Sequence, residues 1–205
     1  MNFFGHAAAA RRIDDDPLFI LGAMAPDLLP LCGAVPSGAT SPRVAVGEAH
    51  HHSVDLLFHN NPAFTTLASW ASQSLRELGL HRGAARGAAH VGIELLLDGV
   101  LARETRARAA YTRSLAVAET TCTPFVWRDE LSGSRWQTLV VRLRTGPVPD
   151  AYRDPDFVAD RLVGALARRP RLALSEVEAL TLRRFLPALG SRVSAAAHAL
   201  AGDLV

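Results

Sequence analysis

The chain has 205 residues, 49% of them hydrophobic and 20% charged, which is enough for one domain with a sizeable core and unlike a disordered or fibrous chain. A net charge of +2 is too small for a dedicated nucleic-acid binder, so no nucleic-acid partner is expected. Aromatic residues make up only 6%, so Ala, Leu and Val must fill the core, and this favours packed helices over a β-sandwich.

Met1-Asn2-Phe3-Phe4-Gly5-His6 opens the chain, followed by four alanines and Arg11-Arg12. Basic residues come after the apolar stretch rather than before it, so no signal peptide is read. A short helix is expected over about Phe3 to Arg12. Asp14, Asp15 and Asp16 before Pro17 offer an N-cap for a second. The most apolar run, Pro17 to Pro36, contains Asp27 and is broken at Pro26 and Pro30, so it is not expected to span a membrane. Pro36 to Pro42 reads as a loop.

A helix from about Val46 to His59 follows. Asn61 and Pro62 serve as cap and first residue of the next, which runs to Leu78 before Gly79. A long helix is expected from about Gly83 to Arg108. In the segment Thr120 to Asp150, the apolar run Leu139-Val140-Val141 leans towards helix. Asp154-Pro155 starts a helix to Arg168, and Ser175 with Glu178 forms a capping box for the last. No internal repeat or domain-scale linker is seen. The expected fold is therefore all-α: one helical domain over residues 1–205, a bundle of about seven to nine helices with a metal site between two central ones. The cysteines, Cys32 and Cys122, make neither a disulfide framework nor a thiolate site, which fits a reduced, cytoplasmic setting.

Two trios carry the chemistry. His51, Asp55 and His59 are spaced by four, as are His90, Glu94 and Asp98. Side chains four apart share one helix face, so each trio points one way. Glu94 and Asp98 lie in the otherwise apolar stretch Val91 to Leu101, and buried carboxylates are costly unless paired or bound to metal. The two faces together would make one pocket of nitrogen and oxygen ligands, joined by Asp27 and by His6. A sulfur-free set suits zinc, manganese or iron, as one ion or more. The expected ligands are His6, Asp27, His51, Asp55, His59, His90 and Glu94. Asp55, His52 and Asp98 are the candidates for proton transfer in hydrolysis of a phosphate ester.

These stretches resemble the bacterial acyl carrier protein phosphodiesterases, relatives of the HD-type metal hydrolases. The family's Met-Asn-Phe-Leu-Ala-His is similar to Met1-Asn2-Phe3-Phe4-Gly5-His6, and its Gly-Asn-x-x-Ala-Asp-Phe to Gly22-Ala23-Met24-Ala25-Pro26-Asp27-Leu28. Its Gly-Ile-x-x-His-Arg-x-Ile-Asp aligns with Gly47 to Asp55, its Pro-x-Phe with Pro62-Ala63-Phe64, and its Asp-x-x-x-Asp-His-Phe-Leu with Glu94 to Leu101. Arg168-Arg169-Pro170-Arg171-Leu172 matches its Arg-Arg-Pro-Arg-Leu. The chain departs from the pattern at His52, where the family has Arg, at Phe58-His59, where it has Thr-Asp, and at Gly99, where it has His. The resemblance implies a helical, manganese-favouring hydrolase that releases 4'-phosphopantetheine from an acidic acyl carrier protein. Arginines at Arg82 and Arg86, at Arg103, Arg106 and Arg108, and at Arg168, Arg169 and Arg171 would steer that partner. The order His51, Asp55, His59, His90, Glu94 also resembles zinc-dependent phospholipases C and related nucleases. A third alternative is a non-catalytic metal-binding member of the same fold.

Overall fold

The computed structural model describes residues 1–120 and 124–202, so Cys122 lies outside the described residues. In chain order the elements are α1 (Phe3–Ile13), α2 (Pro17–Cys32), β1 (Pro36–Ala39), α3 (Pro42–His59), α4 (Pro62–Glu77), α5 (Arg82–Leu101), α6 (Thr105–Thr120), β2 (Phe125–Trp127), α7 (Glu130–Thr145), α8 (Pro155–Ala167) and α9 (Glu176–Ala201). Short 3₁₀ turns cover Asp150–Arg153 and Pro170–Leu172. The fold is all-α, as composition led us to expect, with nine α-helices among the described residues. No helix is long and apolar enough to cross a membrane.

The backbone clusters into two compact units, each discontinuous in sequence. One comprises residues 1–57 and 101–148, the other 58–100 and 149–202. In the first, α2 packs against α1, α6 and α7. Asp16 caps α2 by accepting hydrogen bonds from the Leu18 and Phe19 amides at 2.7 and 3.2 Å, and Gly33 ends the helix in the left-handed region at φ 64°. Pro26 and Pro30 do not break α2, contrary to expectation. A proline inside a helix costs about 3 kcal/mol. Here nine residues of α2, from Phe19 to Leu29, are buried, and that burial outweighs the lost backbone hydrogen bonds.

Two glycines bring α3 onto α2. A Cβ on Gly22 would lie 2.2 Å from the Val44 carbonyl oxygen, and one on Gly47 would lie 2.1 Å from that of Phe19. Only hydrogen at these positions lets the backbones meet. Arg43 of α3 pairs with both Asp14 and Asp16 and fixes the corner between α1 and α2. The segment read as a loop, Pro36 to Pro42, instead supplies β1, which pairs antiparallel with β2. Strands of four and three residues are too short to show a period, and their partners are distant in sequence.

The long helix expected over Gly83 to Arg108 is two helices, interrupted at 102–104. The Glu104 amide turns back to the Leu101 carbonyl at 2.9 Å, and the Glu104 side chain pairs with Arg11 at 3.1 Å. No glycine or proline marks the break, and it falls where the chain passes from one unit to the other. In the second unit α9 packs against α4 and α8. Gly92 of α5 abuts Leu162 of α8 and Leu189 of α9. Asn61, Asp154 and Ser175 cap α4, α8 and α9, and both bonds of the Ser175–Glu178 capping box are formed.

Candidate metal centres

The structure sorts the candidate ligands into two groups, each within one unit. The first is His6, Asp27 and His51, and the second is His59, His90 and Glu94. In each, one donor atom per residue lies within 4.8 Å of the others. The expected trio on α3 is therefore divided, with His51 going to the first group and His59 to the second.

In the first group α1 supplies His6, α2 supplies Asp27 and α3 supplies His51. His6 is fully buried and His51 is 6% exposed. Their rings stack with centroids 3.8 Å apart. His51 Nδ1 lies 2.9 Å from the Ala23 carbonyl oxygen. That carbonyl can only accept, so Nδ1 carries the proton and the lone pair is left on Nε2, the arrangement by which an outer-sphere acceptor orients a metal-binding imidazole. Burial, together with the neighbouring His6, pushes the His51 imidazole down to about 4, so it is neutral at pH 7.

Asp55 borders this group through His6. His6 Nε2 is 3.6 Å from Asp55 Oδ1 and 3.8 Å from Asp27 Oδ2. Those separations exceed direct hydrogen bonds. They match the edge of about 3.4 Å between donors that share a tetrahedral ion at about 2.1 Å. His6, Asp27 and His51 thus fit a divalent ion, with two imidazoles and one carboxylate. Asp55 Oδ1 also accepts from the Met1 amino group at 2.8 Å.

In the second group Glu94 Oε1 accepts from His59 Nε2 at 2.9 Å and from His90 Nε2 at 3.2 Å. The two imidazoles stack at 4.7 Å, and Phe64 meets both edge-on at 5.1 Å. Burial alone would push the Glu94 carboxyl up, but the hydrogen bonds from His59 and His90 outweigh it and hold it well below the usual carboxylate range. This group is open. The His90 side chain is 45% exposed, and His59 and His90 line a cavity of about 1100 Å³ whose walls come from α4 and α5. The donor set suits zinc, manganese or iron, but the hydrogen bonds to Glu94 place protons on the same Nε2 atoms, so an ion must displace or relocate them.

The remaining candidates fall outside these groups. His52 is exposed, and its ring meets His51 edge-on at 5.3 Å. Asp98 is fully buried and not part of either group. Beside Asp98, a Cβ on Gly99 would lie 2.4 Å from the Tyr152 carbonyl oxygen, so only hydrogen fits there. The Ala23 carbonyl that orients His51 and the cavity-lining Arg76 were not singled out in the sequence. A run of Arg82, Arg86, His90 and Glu94 at intervals of four was the available signal for the cavity wall.

The chain matches no protein-family model, and comparison with curated proteins and with solved structures likewise gives no match.

Proposed function

We propose that the protein is a metal-dependent phosphodiester hydrolase. The observation that carries this reading is the spacing of His6 Nε2 from the carboxylates of Asp27 and Asp55, beside a His51 already fixed in a ligand tautomer. A divalent ion held there, and a second at His59, His90 and Glu94, would lower the pKa of water and offset charge on phosphoryl oxygens. The chain's own residues do the rest. His59 and His90 face the cavity, and Glu94 fixes the orientation of both rings. While no ion occupies this group, either imidazole keeps its Nε2–H on Glu94 and can take a proton at Nδ1 from a nucleophile or return it to a leaving oxygen, and the Glu94 carboxylate stabilises the imidazolium that forms. Within this class, release of 4'-phosphopantetheine from an acyl carrier protein is the specific activity that the sequence resemblance supports, with manganese or zinc as the ion.

The test is metal analysis followed by hydrolysis of bis(p-nitrophenyl) phosphate and of holo-acyl carrier protein. The wild type should retain divalent metal and cleave at least the first substrate. His6→Ala should lose metal, and Glu94→Gln should slow turnover by about 100-fold or more. Protein that binds no metal and cleaves neither substrate rules the enzyme reading out. A non-catalytic role is the second reading, favoured by one observation: the hydrogen bonds from His59 and His90 already stabilise Glu94 without an ion.

A further inference from the structure

The cavity at His59 and His90 has a second charged end. Arg76 of α4 and Arg82 and Arg86 of α5 line it, and none of their side chains makes a hydrogen bond or ion pair among the described residues. Their placement follows from helix geometry. Arg86 precedes His90 by one turn and Arg82 by two, so the guanidinium groups extend along the same stripe from roughly 6 to roughly 12 Å beyond the imidazole at 1.5 Å per residue. Arg76 closes the wall from the last turn of α4.

The lining between the two ends mixes polar and apolar surface in about equal parts. Thr65, Ser69, Ser72 and Gln73 come from α4, while only Phe64, Ala68 and Leu80 among the lining residues are apolar. A bare acyl chain would leave the hydrogen-bonding groups of this lining unpaired. The lining suits a hydroxyl- or amide-bearing linker. Glu77 also lines the cavity and accepts from Gln73 at 2.9 Å, but its single negative charge stands against three guanidinium groups, so positive charge dominates that end. A cavity of about 1100 Å³ accommodates far more than a phosphate group.

We propose that Arg76, Arg82 and Arg86 form a subsite for a second anionic group, a phosphate or carboxylate, on an elongated polar substrate whose scissile phosphoester lies at His59 and His90. Planar guanidinium groups bind such oxyanions through paired hydrogen bonds, and a cavity concentrates their field. The inference deepens the proposed function by naming a substrate class, and it rests on that reading for what occupies the histidine end only.

Two measurements separate the claims. In the first, metal-free protein is titrated with pentyl phosphate by calorimetry. Binding should weaken at least tenfold in the Arg82→Ala/Arg86→Ala double variant and be unchanged in Arg184→Ala, an exposed arginine that does not line the cavity. In the second, the metal-loaded protein hydrolyses a nitrophenyl phosphodiester with a five-carbon linker, with and without a terminal phosphate. The double variant should raise KM at least tenfold for the ester bearing the terminal phosphate and leave the ester without it unchanged. Equal binding by wild type and double variant, equal loss in Arg184→Ala, or equal KM changes for both esters would overturn the subsite. If no metal binds but the first measurement succeeds, the anion subsite stands and the hydrolase reading falls.

Discussion

In the first unit His6 and His51 are shut away from solvent and His51 is set in its tautomer by a backbone carbonyl, whereas in the second His59 and His90 stand at a cavity wall and share one carboxylate. The donor types are nearly the same, and the difference lies in what holds them. Rigid backbone seats the first group, because α2 and α3 meet at Gly22 and Gly47. Side-chain hydrogen bonds seat the second. Donors seated by rigid backbone hold an ion firmly, while donors seated by exchangeable side-chain hydrogen bonds at a cavity wall release it more readily and reach substrate. Firm binding is therefore expected of the His6 group and turnover of the His90 group.

The strongest way to break this comparison is through the glycines. Gly47→Ala drives a Cβ into the Phe19 carbonyl, where no side chain can move aside, and should cost about 3 kcal/mol or more. Gly83→Ala in the second unit crowds just the end of the Leu172 side chain, at 2.9 Å, with the Arg171 carbonyl oxygen at an ordinary 3.7 Å, and should cost under about 1 kcal/mol. Denaturant unfolding measures both, and similar losses would remove the contrast between backbone and side-chain seating.

Acidity sharpens it next. His51 is depressed in the fold to about 4 by burial and by His6, against an ordinary 6.5. The folded state then binds fewer protons than the unfolded one between those values. The stability from its neutral form is fully present above about pH 6.5 and is lost as pH falls towards 4, by about 3 kcal/mol. Glu94 is also depressed, but as a carboxylate, so its contribution is present above its unfolded value of 4.5 and is lost only as pH falls below that. Metal-free unfolding from pH 7 to 3 should show two windows, and His51→Leu should erase only the upper one.

A more modest effect separates the groups directly. Glu94→Gln replaces the shared acceptor with a neutral one and should cost about 1–2 kcal/mol. It should remove metal from the His90 group while leaving that at His6, read as one ion fewer per chain. Loss of all metal would mean that the groups are not independent.

Much of this was legible in the residues. Asp16-Pro17, Asn61-Pro62, Asp154-Pro155 and Ser175 with Glu178 mark helix starts because a capping oxygen and a fixed proline φ act over three or four residues. The ligand types, the all-α class and the pairing of His90 with Glu94 follow from composition and from spacing by four. The hairpin of β1 and β2, the persistence of α2 through Pro26 and Pro30, and the interruption at 102–104 were not legible. Each depends on groups distant in sequence.

The sequence by itself determined which side chain types are available to bind metal and that His51, His59, His90 and Glu94 lie on helices, because both are local properties. Tertiary structure alone decided that His51 belongs with His6 and Asp27 while His59 belongs with His90 and Glu94, that Ala23 sets a tautomer, and that Arg76, Arg82 and Arg86 share one cavity. Spacing by four aligns residues on a face but does not say what that face meets. Here the meeting is set by two glycines on α2 and α3 and by the packing of α9 on α4, contacts that no local pattern encodes.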